Sequence, residues 1–199
     1  MQLTLPGALS LYYGQELGLA NVGDPPSSRG IMQWTKSGDD HHGFLSSGGS
    51  KIGKLFFAES ENIDELDNFE SQYAEENSPL KVYQKLAKMR QRDEALIVGS
   101  TVRDLVEGDV IIYSRFVKGE NGTSFGTAFV VALNFGLESA SIDFTHFVDK
   151  GLLPTNKALT AAEVAAVTPG IIEYRARQKV DLATNPITLP PKQGIMIRF

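Results

Sequence analysis

Apolar and polar positions divide the chain into three stretches with different patterns. The first begins with an apolar run at residues 8–13, placed between Pro6-Gly7 and Gly14, which predicts a short buried strand. Residues 21–78 then pass through clusters of Gly, Pro, Ser and Asp with little periodicity, which predicts a long loop. A loop of this length is typical of a functional segment or of one that packs on a larger fold.

The second stretch predicts one helix, from Pro79 to about Arg92. Ser78 suits the N-cap, and proline is favoured at the first helical position. Acidic residues precede the helix and basic residues lie toward its end, as the helix dipole favours. We therefore expect the helix to pack one face on a core. The apolar stripe comprises Leu80, Val82, Tyr83, Leu86, Ala87 and Met89.

The third stretch, about residues 95–199, is rich in short β-type segments. Strands are predicted at 110–117, 127–135, 141–147, 171–176 and 194–199. A glycine-rich connection at 118–126 suits a long hairpin loop. Residues 159–167 are compatible with a short helix or with a loop. The pattern favours an antiparallel β-sandwich that the C-terminal strand closes.

Composition narrows the class of protein. The chain has 199 residues, of which 42% are hydrophobic, so it can bury a core. Its formal net charge of -5 gives no reason to expect nucleic acid as a partner. No cysteine is present, which excludes disulfides and thiol chemistry. No apolar run is long enough to span a bilayer, and the opening residues lack the basic region of a signal peptide, so we expect any such signal to lie upstream.

Several motifs occur in a characteristic order. They are TLPG at residues 4–7, YYGQELG at 12–18, SRGIMQW at 28–34, Gly43-Phe44, and VALNFG at 131–136. In this order and spacing they resemble the α-amylase and α-glucosidase superfamily, glycoside hydrolase family 13. The resemblance covers residues 1–136 and 190–199 and is weak between them.

The resemblance implies an α+β fold: the last strand, loops and helix of a TIM-type (β/α)8 barrel, followed by an antiparallel β-sandwich. Residues 1–93 would belong to the barrel and residues 94–199 to the sandwich domain. The loops of several strands build the site of such a barrel. The resemblance places the family's catalytic carboxyl groups on strands before TLPG, so we expect no catalytic residue here and no enzymatic activity of the chain alone.

Two kinds of superfamily member fit the motifs. Active enzymes usually have Thr-Pro where this chain has Ala8-Leu9, and Ser/Thr-Pro where it has Gly30-Ile31. Residues 189–199 resemble the last strand of the glycosidase-like heavy subunits of heteromeric amino-acid transporters. This favours a heavy subunit with a structural and trafficking role. Such a protein is a type II membrane glycoprotein on the extracellular side of the plasma membrane, and its partner is a polytopic transporter light subunit.

The alternative is the C-terminal part of a catalytic, retaining α-glucosidase that hydrolyses α-glucosidic bonds and is secreted or cytoplasmic. In that case the ligand is an α-glucoside and the chain supplies one wall of the pocket. A third class, an independent carbohydrate-binding β-module, would need an exposed row of aromatic residues, and the sequence shows none. No cofactor is implied by any of the three.

Four residues are candidates for sugar contact. Arg29 suits hydroxyl and carboxylate partners, although a surface salt bridge is the more common role of such an arginine. Gln15 and Glu16 follow the predicted strand, where barrel sites form, and a carboxylate there equally well hydrogen-bonds the loop backbone. Trp34, the only tryptophan, suits stacking on a sugar ring, but large aromatic residues are usually buried in packing, which we favour.

Other polar groups have simpler interpretations. Residues 39–42 read Asp-Asp-His-His, but consecutive residues rarely converge on one ion, so no metal is predicted and a solvated loop tip is favoured. His146 is expected to be an ordinary strand residue. Asn121-Gly122-Thr123 matches an N-glycosylation sequence at a predicted hairpin tip, where Asn-Gly is also a favoured turn pair.

Overall fold

The computed structural model describes residues 1–22, 30–36, 42–43, 68–120, 124–145 and 159–199. The chain forms two compact units: residues 10–83 make one, and residues 1–9 together with 84–199 make the other. The domain boundary predicted at 93/94 stays a prediction. No helix in these described ranges is long and apolar enough to cross a membrane.

The unit of residues 10–83 is built from short helices and turns. It contains a 3₁₀ helix at Gln15–Leu17, helix α1 at Phe69–Ala74, and the start of helix α2, which spans Pro79–Arg92. Its apolar core consists of Leu17, Met32 and Leu80, and it is flanked by Leu19 and Phe69. A small core of this kind relies on hydrogen bonds to fix the segments around it.

The start of helix α2 is confirmed as predicted. The Ser78 hydroxyl accepts a hydrogen bond from Lys81 N at 3.3 Å, as an N-cap does, and donates to Gln72 O at 2.7 Å. The Gln72 side chain is buried and accepts from Leu80 N at 3.0 Å while it donates to Leu17 O at 2.8 Å. Gln72 therefore satisfies a free N–H group of the helix and fixes the 3₁₀ turn.

The described part of the other unit begins its β-structure after a short helix α3, Glu94–Ile97. Its strands are β1 Ser100–Glu107, β2 Val110–Lys118, β3 Ser124–Asn134, β4 Ala140–Ile142, β5 Ala162–Val167, β6 Lys179–Val180, β7 Ile187–Leu189 and β8 Gly194–Arg198. Six of them form one antiparallel sheet in the order β1-β2-β3-β8-β5-β6, and β4 and β7 form a second sheet.

Apolar side chains pack on both faces of the large sheet. Alternate residues of a strand point to opposite faces, so neighbouring residues belong to different clusters. On one face, residues such as Val130 and Ile197 pack with Ile187 of the small sheet. On the other, residues such as Phe129 and Met196 pack with Leu96 of α3. The α+β class with mostly antiparallel pairing is thereby confirmed, and the sandwich as the detailed arrangement stays a prediction.

Arg115 of β2 is fully buried beside the end of α3. Its guanidinium donates to Ala95 O at 3.2 and 2.9 Å, to Leu96 O at 2.9 Å, and to the Thr101 hydroxyl at 2.7 Å. Burial lowers the pKa of Arg115, and the charge of Arg90 lowers it further. The guanidinium stays protonated. It therefore serves the carbonyl groups that the end of a helix leaves without partners.

Four further hydrogen bonds fix residues 1–9 within this unit. Arg90 of α2 donates to Leu3 O at 3.1 Å, to Leu5 O at 2.5 Å and to Gly7 O at 2.6 Å. The Thr4 hydroxyl makes a hydrogen bond with the hydroxyl of Tyr113, and burial raises the pKa of that tyrosine. These contacts make the first residues of the chain part of the folded unit.

The predicted strands agree only in part with the structure. Strands at 110–117, 127–135 and 194–199 are confirmed with small changes in their bounds. Of the segment predicted at 141–147, the structure describes residues up to 145, and in this part the strand is Ala140–Ile142. The strand predicted at 171–176 is wrong. Two turns lie in this region: Ile171 N donates to Thr168 O in one, and Gln178 N donates to Arg175 O in the other. Ile172 is 84% exposed. The neighbouring segment 162–167 pairs with β8 in its place.

The strand predicted at residues 8–13 is also wrong. These residues have no regular structure, and four of their apolar side chains are exposed: Leu9, Leu11, Tyr12 and Tyr13. A strand exists only through hydrogen bonds with a neighbouring strand. Nothing in the described residues pairs with this segment, so the apolar run has neither a ladder nor a covering layer.

Candidate functional site

A pocket of about 180 Å³ lies within the unit of residues 10–83. One wall is the turn around the 3₁₀ helix, which Gly14 and Gly18 allow because both have positive φ, 86° and 71°. A side chain at Gly14 would also lie 2.8 Å from Leu19 Cδ1. The other wall is the extended segment 30–33. The lining residues are Tyr13, Gly14, Gln15, Leu19, Ala20, Asn21, Val22, Gly30, Ile31 and Gln33.

The pocket offers neutral hydrogen-bonding groups. Gln15, Asn21 and Gln33 carry amides, and Tyr13 carries a hydroxyl, so the wall holds both donors and acceptors. Among the lining residues that the structure describes, none has a carboxyl or imidazole group, which general acid–base or nucleophilic catalysis of glycoside cleavage needs. This arrangement can bind a polyhydroxylated molecule, but these residues cannot cleave one.

Gln15 and Glu16 take different positions. Gln15 lines the pocket, and its Oε1 accepts from Tyr12 N at 3.1 Å, which fixes the backbone that enters the turn. Glu16 is half-buried on the 3₁₀ helix and is not among the lining residues. The backbone-fixing role that we expected of the carboxylate thus belongs to its neighbour.

Gln33 is a lining residue that the sequence did not indicate. It is 5% exposed, and its Oε1 is buried with no hydrogen-bond partner in the described part of the chain. An unpaired buried acceptor is costly, so this amide oxygen at the pocket wall is a candidate acceptor for a ligand. Only its place beside Trp34 in the MQW motif hinted at such a role.

Trp34 does not lie in the core as we favoured; it is 44% exposed. Its ring makes an edge contact with Phe69, with centroids 5.6 Å apart, and Phe69 stacks on Tyr73 at 5.4 Å. Tyr73 is 57% exposed, and the Lys81 ammonium lies 4.2 Å from its ring centroid. We call Trp34, Phe69 and Tyr73 the aromatic strip.

The sequence predicted no exposed aromatic row, and the aromatic strip corrects that expectation. Its two members on α1 were missed because the segment 21–78 was interpreted as a loop without periodicity. The signal was present: Asn68 caps α1 by accepting from Ser71 N at 2.9 Å, and Phe69 and Tyr73 have the i, i+4 spacing of helix neighbours.

Of the other candidate polar residues, His42 is described by the structure. His42 is 7% exposed, and its carbonyl accepts from Trp34 N at 2.8 Å and Thr35 N at 3.0 Å, so this end of the Asp-Asp-His-His sequence is buried and not a solvated tip. The remaining candidates lie outside the described residues. They are Arg29, Asp39, Asp40, His41, Asn121 and His146.

Sequence comparison finds enzymes of sugar metabolism. No known family profile matches the chain. Maltase 1 of Drosophila virilis is 24% identical in an alignment that covers the whole chain but 31% of the maltase. The trehalose synthase/amylase TreS of Mycolicibacterium smegmatis is 32% identical over 60% of the chain and 21% of its own length. The chain therefore spans about a third or less of these relatives.

Structural comparison finds solved structures with a similar fold. The trehalulose synthase MutB matches the whole chain with a TM-score of 0.66 and 18% identity, over 37% of the MutB chain. The isomaltulose synthase PalI of Klebsiella sp. LX3 matches 87% of the chain with a TM-score of 0.58 and 19% identity, over 26% of its own chain. At this identity the likeness shows the fold, that of TIM-barrel enzymes.

The sequence relatives agree with the resemblance of the motifs to the α-amylase superfamily, glycoside hydrolase family 13. The comparisons give no support to a heavy subunit of an amino-acid transporter.

Proposed function

We propose that this chain is the C-terminal part of an enzyme that acts on α-glucosidic bonds. The observation that carries the proposal is the sequence similarity to a maltase along the whole chain, joined by similarity to a trehalose synthase over residues amounting to 60% of it. The alternative drawn from the sequence thus replaces the heavy-subunit interpretation as the leading one.

The role of the chain follows from the chemistry of its pocket. Retaining glycosidases need two carboxyl groups about 5 Å apart. The described lining residues of the pocket contain none, but they contain amides and a tyrosine hydroxyl suited to sugar hydroxyl groups. In the proposed enzyme these residues bind and orient the substrate, while the carboxyl groups come from a part of the protein outside residues 1–199. Gln15 is a proposed contact residue, with Arg29, Glu16 and Trp34 as further candidates from the sequence.

The exposed apolar run is consistent with this assignment. Leu9, Leu11, Tyr12 and Tyr13 are between 37% and 45% exposed, although such side chains gain free energy from burial. In a TIM barrel the corresponding strand is paired on both sides and covered by a helix. The proposal is therefore that the barrel's other strands cover this segment in the longer protein.

The heavy-subunit interpretation rests on the resemblance of residues 189–199 and on the departures from the usual enzyme motifs at Ala8-Leu9 and Gly30-Ile31. Its partner, a polytopic light subunit, and its extracellular location are untested and stay predictions. No contact in the described residues favours them over the enzyme.

Hydrolysis of p-nitrophenyl α-glucoside tests the proposal. We expect turnover by the longer protein that contains this chain and none by residues 1–199 alone, because the family resemblance places the catalytic carboxyl groups on strands before TLPG. A folded longer protein that turns over neither this substrate nor maltose, sucrose or trehalose would overturn the proposed function. Turnover by residues 1–199 alone would show that the catalytic groups have been misplaced.

A further inference from the structure

We propose that the aromatic strip is a second sugar-binding surface, beside the pocket but not part of its lining. It would take one pyranose ring of an α-glucoside or of a longer α-glucan. The inference rests on the proposed function for its substrate class and on the exposed rings for its location. The three rings belong to one compact unit, so the surface does not depend on how the two units are arranged.

Two rings of the aromatic strip are exposed. Trp34 and Tyr73 are 44% and 57% exposed, whereas the core residues Leu17 and Leu80 of the same unit are 1% and 3% exposed. Large aromatic side chains left at a surface are enriched in binding sites, where a partner supplies the missing burial. Phe69 lies between the two exposed rings and contacts both. The strip is thus a continuous surface and not two isolated residues.

Backbone hydrogen bonds hold the aromatic strip in place. Backbone hydrogen bonds join the segment of Trp34 to α1: Phe69 N donates to Gln33 O at 2.9 Å and Glu70 N donates to Trp34 O at 3.0 Å. The carbonyl of His42 accepts from Trp34 N on the other side. A surface that is already ordered loses less entropy when it binds a ligand.

The chemistry of the aromatic strip matches that of a sugar ring. A pyranose ring has a face of C–H groups and a rim of hydroxyl groups. The Lys81 ammonium lies over the ring of Tyr73. In the proposed complex the exposed Trp34 ring stacks on the C–H face of the sugar, and the Tyr73 hydroxyl and the Lys81 ammonium donate to its hydroxyl groups. The ammonium disfavours a cationic ligand, and a neutral polyol uses both the apolar and the polar parts of the strip.

Trp34 is the only tryptophan of the chain, so its fluorescence reports binding at the strip directly. We would titrate the 199-residue chain with maltotriose and with maltoheptaose and follow the emission. We expect a saturable change in emission, and about tenfold weaker affinity for Tyr73→Ala and Lys81→Met. Calorimetry replaces fluorescence for Trp34→Ala, which is expected to lose binding, while Trp34→Tyr recovers part of it.

The control is Phe135→Ala, which removes an aromatic ring of similar exposure, 43%, from the other unit. Its affinity should equal that of the wild type. No change in emission at saturating sugar, or equal affinity in Tyr73→Ala and the wild type with both chains folded by circular dichroism, would overturn the inference. Sugar binding that depends on the strip would support it even if the longer protein hydrolysed no α-glucoside, so the two proposals fail separately.

Discussion

Replacing Arg115 by methionine is expected to lower the free energy of unfolding of the chain by about 3 kcal/mol. The guanidinium is fully buried and makes hydrogen bonds to the carbonyls of Ala95 and Leu96 and to the hydroxyl of Thr101. Methionine fills much of the volume but donates nothing, so carbonyl groups at the end of α3 stay buried without partners. Urea unfolding followed by far-ultraviolet circular dichroism measures the change.

Two variants make this result specific. Arg198→Met removes the same group from an exposed position on β8 and should change the free energy of unfolding by less than about 0.5 kcal/mol. Arg115→Lys keeps the charge but loses the planar fork of donors, so an intermediate loss is expected. Equal stability of Arg115→Met and Arg198→Met would show that the buried guanidinium does not hold α3 on the sheet.

Replacing Gln72 by leucine is expected to cost a similar amount, about 3 kcal/mol, in the unit of residues 10–83. The amide bridges Leu17 O and Leu80 N at 2.8 and 3.0 Å and is 1% exposed. Leucine has nearly the same size but leaves one buried carbonyl and one helix N–H unpaired. Because the turn held by Gln72 forms one wall of the pocket, sugar binding should weaken as well. Trp34 fluorescence during urea unfolding reads out this unit.

Gln91→Leu is the matched control for that variant. Gln91 is exposed on α2, so the same chemical change should leave the unfolding midpoint almost unaltered. If Gln72→Leu unfolded at the same urea concentration as Gln91→Leu, the bridge would contribute nothing and the wall of the pocket would need another explanation.

Elements with a local signal could be predicted from the sequence. Helix α2 has a clear start signal in Ser78-Pro79, and strands β2, β3 and β8 have apolar residues on both faces. In these elements the sequence pattern and the structure agree. Strand β5 has no such signal. Its sequence, Ala-Glu-Val-Ala-Ala-Val, is compatible with a helix, and pairing with β8 makes it a strand. Tertiary pairing decided where local preference did not.

The candidate site could also be predicted only in part, because some of its contacts form only in the folded chain. The order of the TLPG and YYGQE motifs pointed to a superfamily with which the sequence relatives agree, and to Gln15, which lines the pocket. The other members of the aromatic strip could not be predicted, since Phe69 and Tyr73 lie 35 and 39 positions after Trp34. Phe69 comes into contact with Trp34 only in the folded unit, where it also stacks on Tyr73. The apolar run at 8–13 misled for the opposite reason: its composition is that of a buried strand, whereas the described chain provides no partner strand for it.

The proposed function requires that this chain complete a retaining enzyme whose catalytic carboxyl groups lie outside residues 1–199. Treatment of the longer protein with a slow fluorinated α-glucosyl donor, followed by peptide mass spectrometry, tests it most directly, because a retaining enzyme forms a covalent glycosyl intermediate on one carboxylate. We expect a glucosyl label on a peptide outside residues 1–199, and no label on the chain when residues 1–199 are treated alone. A label within residues 1–199, or no label on a folded longer protein, would contradict it.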